Sequence, residues 1–333
     1  MTRNTKSLPF RILAATFALI FAGSSWAAVG DQFAKVTINK PDKVQAGHLA
    51  FIDASQGKLI ETDLTGKITW EFSIPMSMLG SGKLSAGTDV EWLPKSDHFL
   101  LAIAGAGVFE INRQGQTTWK YLTTFADHDA DRLDNGNTLF VNGWDADSDP
   151  VMTEVDSDGK VVLQLFARDL ELNSTDRHSV ANERYSNTHA NAVQKLGPGE
   201  YLLSLRNFNQ FVKIKDGKVT GRVKNARNVH DPLPYGNGFL FAAHLAEDKS
   251  ALLRQIGPGQ RQPFFKPDDG TWTPLRTVEL LQNGNILITG GREIGQLDKD
   301  GDLVWSLVAE HFGSGKNAQK TGSFFYKVAF VYK

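Results

Sequence analysis

The chain has 333 residues, 36 Lys and Arg against 37 Asp and Glu, and a formal net charge of -1. That balance leaves no electrostatic footprint for nucleic acid or for an anionic membrane surface. The absence of cysteine excludes disulfides, thiol chemistry and Cys-based metal sites.

The first segment reads as an export leader. Residues 1–11 carry Arg3, Lys6 and Arg11 and no acid, an apolar run covers 12–23, and Ser25-Trp26-Ala27 follows with small residues at its first and third places. The apolar run is shorter than the roughly 20 residues a spanning helix needs. The pattern predicts a secretory signal over 1–27, cut between Ala27 and Ala28. It implies a periplasmic protein with no membrane span after cleavage, because no later apolar run reaches membrane length.

The remaining residues, 28–333, are expected to form one repeat domain. A Gly turn followed by a β-branched or apolar pair recurs at Gly66, Gly115, Gly159, Gly217, Gly259 and Gly301, spaced 49, 44, 58, 42 and 42 residues apart. Gly supplies the positive φ of a hairpin turn. Trp70, Trp119 and Trp305 each stand four residues after their Gly, a position suited to packing between repeats. A second element alternates with the first: a polar turn, then a short apolar strand. Its copies begin near Leu49, His98, Asn135, Gly199, Gly238 and Asn283. Six copies of each, in units of about 40–50 residues, match the blades of a propeller. The expected fold is all-β, a six-bladed β-propeller. The alternative is a seven-bladed ring in which residues 322–333 pair with the mature N-terminus to complete a blade. The polar stretch 166–185 reads as an insert over one face of the ring.

Polar residues fall in register on the repeats. Counting back 10 or 11 residues from the anchor leucines Leu139, Leu202, Leu240 and Leu287 of the inner strands gives His128, Asn191, His230 and Arg276. His189 lies two before Asn191, and Arg206 and His244 lie four after their anchors. Equivalent positions of successive blades form a ring, so these seven residues are expected to converge at one mouth of the central channel. His230, His128, His189 and Arg206 are the candidate catalytic set; Asn191, His244 and Arg276 are candidates for binding substrate. Asp129 and Asp231 are expected to cap strand ends or orient the imidazoles.

Three segments carry a family resemblance: Asp127-His128-Asp129 with Asn135-Gly136-Asn137, His189-Ala190-Asn191-Ala192-Val193 running on to Ser204-Leu205-Arg206, and Val229-His230-Asp231-Pro232. Their order and the 17 residues from His189 to Arg206 resemble bacterial periplasmic arylsulfotransferases, six-bladed enzymes that move sulfuryl groups between phenols. The resemblance implies that His230 is a nucleophile that becomes transiently sulfated. It implies that His128, His189 and Arg206 hold the sulfuryl oxygens with help from Asn191. Small aryl sulfates and phenols would be the substrates, without cofactor or nucleotide donor. The Gly-turn and Trp repeats also resemble those of PQQ-type quinoprotein propellers, as kinship of structure without a quinone site.

Two other readings stay open: a noncatalytic propeller that binds a ligand or an envelope partner, and a metal-dependent hydrolase or lyase built on the His cluster, since neutral imidazoles hold zinc, manganese or nickel. Asp145, Asp147 and Asp149 alternate as in a calcium loop. Pro150 and Asp156 stand where an EF-hand needs Gly and Glu, so a solvated turn is the expectation and no metal is assigned.

Overall fold

The computed structural model describes residues 28–80, 84–85, 87–173, 177, 187–246, 249–267, 270–310, 312 and 324–333. The leader and most of the 166–185 insert lie outside them.

Strand β1 (Ala34–Asn39) precedes the first blade, which holds β2 (His48–Asp53), β3 (Lys58–Asp63) and β4 (Ile68–Ser73). Blade two is β5 (Asp89–Leu93), β6 (His98–Ile103), β7 (Gly107–Ile111) and β8 (Thr117–Leu122). Blade three is β9 (Asp127–Arg132), β10 (Thr138–Val141), β11 (Pro150–Val155) and β12 (Val161–Phe166). Blade four is β13 (Ala190–Gly197), β14 (Glu200–Leu205), β15 (Gln210–Lys215) and β16 (Lys218–Val223). Blade five is β17 (His230–Tyr235), β18 (Gly238–Ala246), β19 (Lys249–Gly257) and β20 (Gln260–Phe265). Blade six is β21 (Leu275–Leu280), β22 (Ile286–Gly290), β23 (Glu293–Leu297) and β24 (Leu303–Ala309), and β25 (Val328–Val331) ends the chain.

Each blade is an antiparallel meander, and in blades two to six its first strand lies innermost. The two chain ends close the ring differently. Strand β25 pairs with β2 and becomes the innermost strand of blade one, while β1 pairs with β24 as a fifth, outer strand of blade six. The ends therefore complete two existing blades and do not pair with each other, which overturns the seven-bladed alternative. Phe33, Phe51, Phe312 and Phe325 seal this junction, with Phe33–Phe51 and Phe51–Phe325 ring centroids 4.8 and 4.9 Å apart. Burying one such ring stabilises by about 1.5–3 kcal/mol.

The repeated glycines sit in the turn between third and fourth strands, all with positive φ, from 69° at Gly259 to 88° at Gly301. The tryptophans join neighbouring blades as expected. Trp70 Nε1 donates to Arg113 O and Trp119 Nε1 to Ser157 O, each at 2.9 Å. Both acceptors lie in the Gly turn of the next blade, so one residue type carries the repeat from blade to blade. One assignment is corrected. The anchor leucines Leu139, Leu202, Leu240 and Leu287 belong to the second strand of their blades. The polar residues counted back from them lie on the first strand, across the hairpin.

Candidate functional site at the channel mouth

In each blade the first strand begins, and the second ends, at the same end of the channel, because the two run antiparallel. His230 pairs with Ala242 across its hairpin, two residues before His244, and Ala190 pairs with Leu205, next to Arg206. All seven predicted residues reach this end, from blades three to six.

His128 and His189 meet edge to face with ring centroids 5.0 Å apart. Arg206 Nη1 lies 3.2 Å from His189 Nε2. On the other side Arg276 Nη1 donates to His230 Nε2. Tyr326 joins the halves: its ring centroid is 5.5 Å from that of His128 and 6.3 Å from that of His230, with the Arg276 guanidinium 5.4 Å above it. His244 Nδ1 receives the Asn228 amide at 3.3 Å. Asn191 is placed differently from the expectation. It is fully buried, and its Nδ2 donates to Val229 O at 3.0 Å, holding the backbone that leads into His230.

The protonation of the site follows from these contacts. His230 Nδ1 lies 2.7 Å from Asn228 O; a carbonyl only accepts, so the proton sits on Nδ1 and the lone pair on Nε2. Burial, then the charges of Arg276 and Arg206 and the neighbouring His244, hold His230 well below the usual histidine value. Burial and the charges of Arg276, Arg206 and Arg227 press His244 down to about 3. Both are neutral at pH 7. Arg276, lowered by burial to about 10, stays cationic. Buried atoms here without a hydrogen-bond partner among the described residues include Nε of Arg227 and of Arg276, Nε2 of His244, Oη of Tyr326 and Oδ1 of Asn191 and of Asn228. Buried donors without acceptors are uncommon, and convergent Arg donors suit the oxygens of a carboxylate, sulfate or phosphate group.

Acidic residues hold this mouth in shape, though not the ones expected. Asp127 Oδ1 orients His128 through Nδ1 at 2.6 Å and also accepts Gly143 N at 2.7 Å. Asp145 is fully buried and accepts Thr188 N, Thr188 Oγ1 and His189 N at 3.0–3.1 Å. It is a strut for His189, which corrects the solvated turn expected there; Asp147 is exposed and Asp149 caps Ala146 N. Among the described residues no three His, Asp or Glu side chains converge in metal-binding geometry.

Asp129 and Asp231 do not orient the imidazoles either. Each sends one oxygen to the next inner strand, Asp129 Oδ2 to Val193 N at 2.6 Å and Asp231 Oδ2 to Val278 N at 3.4 Å. Their other oxygens bind Lys327 at 3.0 and 2.6 Å. Below them a cavity of about 420 Å³ runs along the axis, lined by Asp89, Glu91, Asp131 and Glu279 as well. Burial and mutual repulsion raise Glu91 and Asp131 above the ordinary carboxylate range, and burial lifts Glu279 to about 8. Burial alone would lower Lys327, but Asp129, Asp231 and Asp89 outweigh it and raise it well above the ordinary lysine value.

Tyr326, Lys327, Arg227, Asp127 and Trp144 were not among the predicted site residues. The first two carry a readable signal. Tyr326-Lys327 before the apolar run Val328-Ala329-Phe330-Val331 repeats the polar pair that opens the other inner strands, His128-Asp129 and His230-Asp231.

No protein-family model matches the sequence, and no curated protein is similar to it in sequence. Solved structures are similar in fold. A protein of unknown function from Bacteroides caccae has a TM-score of 0.58 at 16% identity, covering 87% of this chain and all of that one. A streptogramin B lyase gives 0.54 at 14% identity, covering 92% and 89%, and the WD40 propeller domain of Doa1 gives 0.54 at 13% identity, covering 86% and 85%. Identities this low speak to fold alone, and with the six sheets in a ring they make this chain a six-bladed β-propeller.

Proposed function

We propose that the mouth binds a sulfate ester and that His230 transfers its sulfuryl group to a phenolic acceptor. The observation that carries this reading is the state of His230. It is a buried neutral imidazole with its proton fixed on Asn228 O, and its Nε2 lone pair lies among Arg and His donors. A neutral imidazole is a competent nucleophile at pH 7. Preorganised donors around it stabilise the charge that spreads over the sulfuryl oxygens in flight.

In the first step Nε2 bonds to sulfur as the S–O bond to the aryl group breaks, and the electron pair leaves on the phenolate oxygen. In the second the acceptor oxygen bonds to sulfur and the N–S bond breaks; the acceptor's proton ends on the released donor phenol. In the resting site Arg276 occupies the Nε2 lone pair, so the incoming oxyanion has to draw the guanidinium onto itself. That same contact favours a second reading, a propeller that binds an oxyanion without transferring it.

The test is incubation with 4-nitrophenyl sulfate and phenol. Acceptor-dependent release of nitrophenolate is expected, with the mass of one sulfuryl group on the His230 peptide, and neither in His230→Ala. Binding of the ester with no release and no label supports the noncatalytic reading. The leader reading puts this reaction in the periplasm; the exported protein should begin at Ala28.

A further inference from the structure

Trp144 is unlike the rest of the mouth. It is 48% exposed, while the two imidazoles beneath it, His128 and His189, are each 5% exposed. Its ring meets theirs edge to face, with centroids 5.8 and 5.0 Å apart. Its backbone is pinned on both sides. Asn142 Oδ1 accepts Trp144 N at 3.1 Å, and the next residue is the buried strut Asp145. Gly143 before it has no room for a side chain, since a Cβ would lie 2.6 Å from His128 Nδ1 and 2.7 Å from Asp127 Oδ1. The indole thus packs edge to face against the histidines and leaves about half of the residue open to solvent, beside the Arg206–His189 contact.

We propose that Trp144 is the subsite that holds the aromatic ring of the ligand and sets a preference for an aryl over an alkyl substituent on the oxyanion. The inference rests on the oxyanion reading of the mouth and deepens it. An anion held by Arg206, Arg276 and the histidines projects its substituent outward past the lip that Trp144 forms. An indole face takes an aromatic ring by offset or edge stacking, an arrangement with no equivalent for a small alkyl group.

Two unreactive probes test it, benzenesulfonate and methanesulfonate, which share the anionic head and differ in the substituent. Calorimetric titration of the wild type is expected to show benzenesulfonate bound roughly fivefold more tightly. In Trp144→Ala that preference disappears while methanesulfonate affinity is kept, and Trp144→Phe keeps most of the preference. A preference that survives in Trp144→Ala overturns the inference. So does an equal loss for both probes, which would make Trp144 a shield over the histidines. If the wild type binds neither sulfonate, the oxyanion reading itself fails and takes this one with it, a result distinct from either of the others.

Discussion

Two layers of the same channel carry opposite charge within one residue of each other. At the mouth, Arg206 and Arg276 act on the buried neutral histidines His230 and His244, and Arg227 on His244 as well. One residue further along the inner strands, Asp89, Asp129 and Asp231 act on the single cation Lys327. Successive residues of a regular strand point to opposite faces, so neighbours such as His128 and Asp129 should not both address the axial space. Left-handed backbone at His128 (φ 53°) and at Asp231 (φ 41°) breaks the alternation where the strands begin. Such conformations cost about 1–3 kcal/mol each and persist where surrounding structure holds them. Here that structure is the Asp127 and Lys327 contacts. The fold thus keeps a cationic, donor-rich mouth by placing its compensating acids one layer deeper, along the axial cavity.

The largest effect is expected at the mouth. His230→Ala should cost at least roughly 10³-fold in kcat/KM with an aryl sulfate and should also lower the thermal midpoint, because the side chain is buried and its loss leaves Arg276 and Asn228 O unpartnered. Steady-state rates beside a calorimetric melt separate the two effects.

In the deeper layer, Lys327→Met strands Asp129 and Asp231 without their cation and should destabilise by about 3–5 kcal/mol, read by denaturant unfolding. The loss should be larger at pH 8 than at pH 5, where Asp231, raised to about 6, and Asp89, raised to about 7, hold protons and need no partner.

The acids themselves predict the pH dependence of the wild type. Glu279 is raised by burial to about 8, and Glu91 and Asp131 are raised as well. The folded state therefore keeps protons that the unfolded chain, with carboxyls near their ordinary values of about 4, has already released. Stability from these groups is present at the acid end and is lost as pH rises through their folded values. His230 and His244, both depressed, work in the opposite sense below about pH 6.5 and are neutral in both states above it. Melting temperature should therefore fall between about pH 6.5 and 8.5, and Glu279→Gln should flatten that slope.

The smallest effect expected is at Arg276. Replacing it by Gln removes the second-largest cause of the low His230 value, the first being burial. The imidazole should then titrate at higher pH, visible in its ¹H–¹⁵N NMR correlation, with nucleophile geometry retained through Asn228.

The sequence by itself determined the architecture and the ring of candidate residues. The Gly turns at a nearly constant spacing are local devices, since each needs only a residue that tolerates positive φ, and they could be read without any contact map. The same holds for His128, His230 and Arg276, because a repeat fold turns equal spacing in sequence into equal position around an axis; in blade four that spacing falls on Asn191, and His189 stands two residues before it. Tertiary structure decided what pairs with what. Asp127 and not Asp129 orients His128. Asp145 supports a histidine 44 positions away. Tyr326 and Lys327 reach the centre only because the last strand closes the first blade. All but the first of these contacts join different parts of the ring, and no spacing within one blade encodes which side chain of the next it will meet. Even the polarity of the channel, cationic above and anionic below, depends on left-handed backbone where inner strands open, at His128, His189 and Asp231, and only the folded ring fixes it.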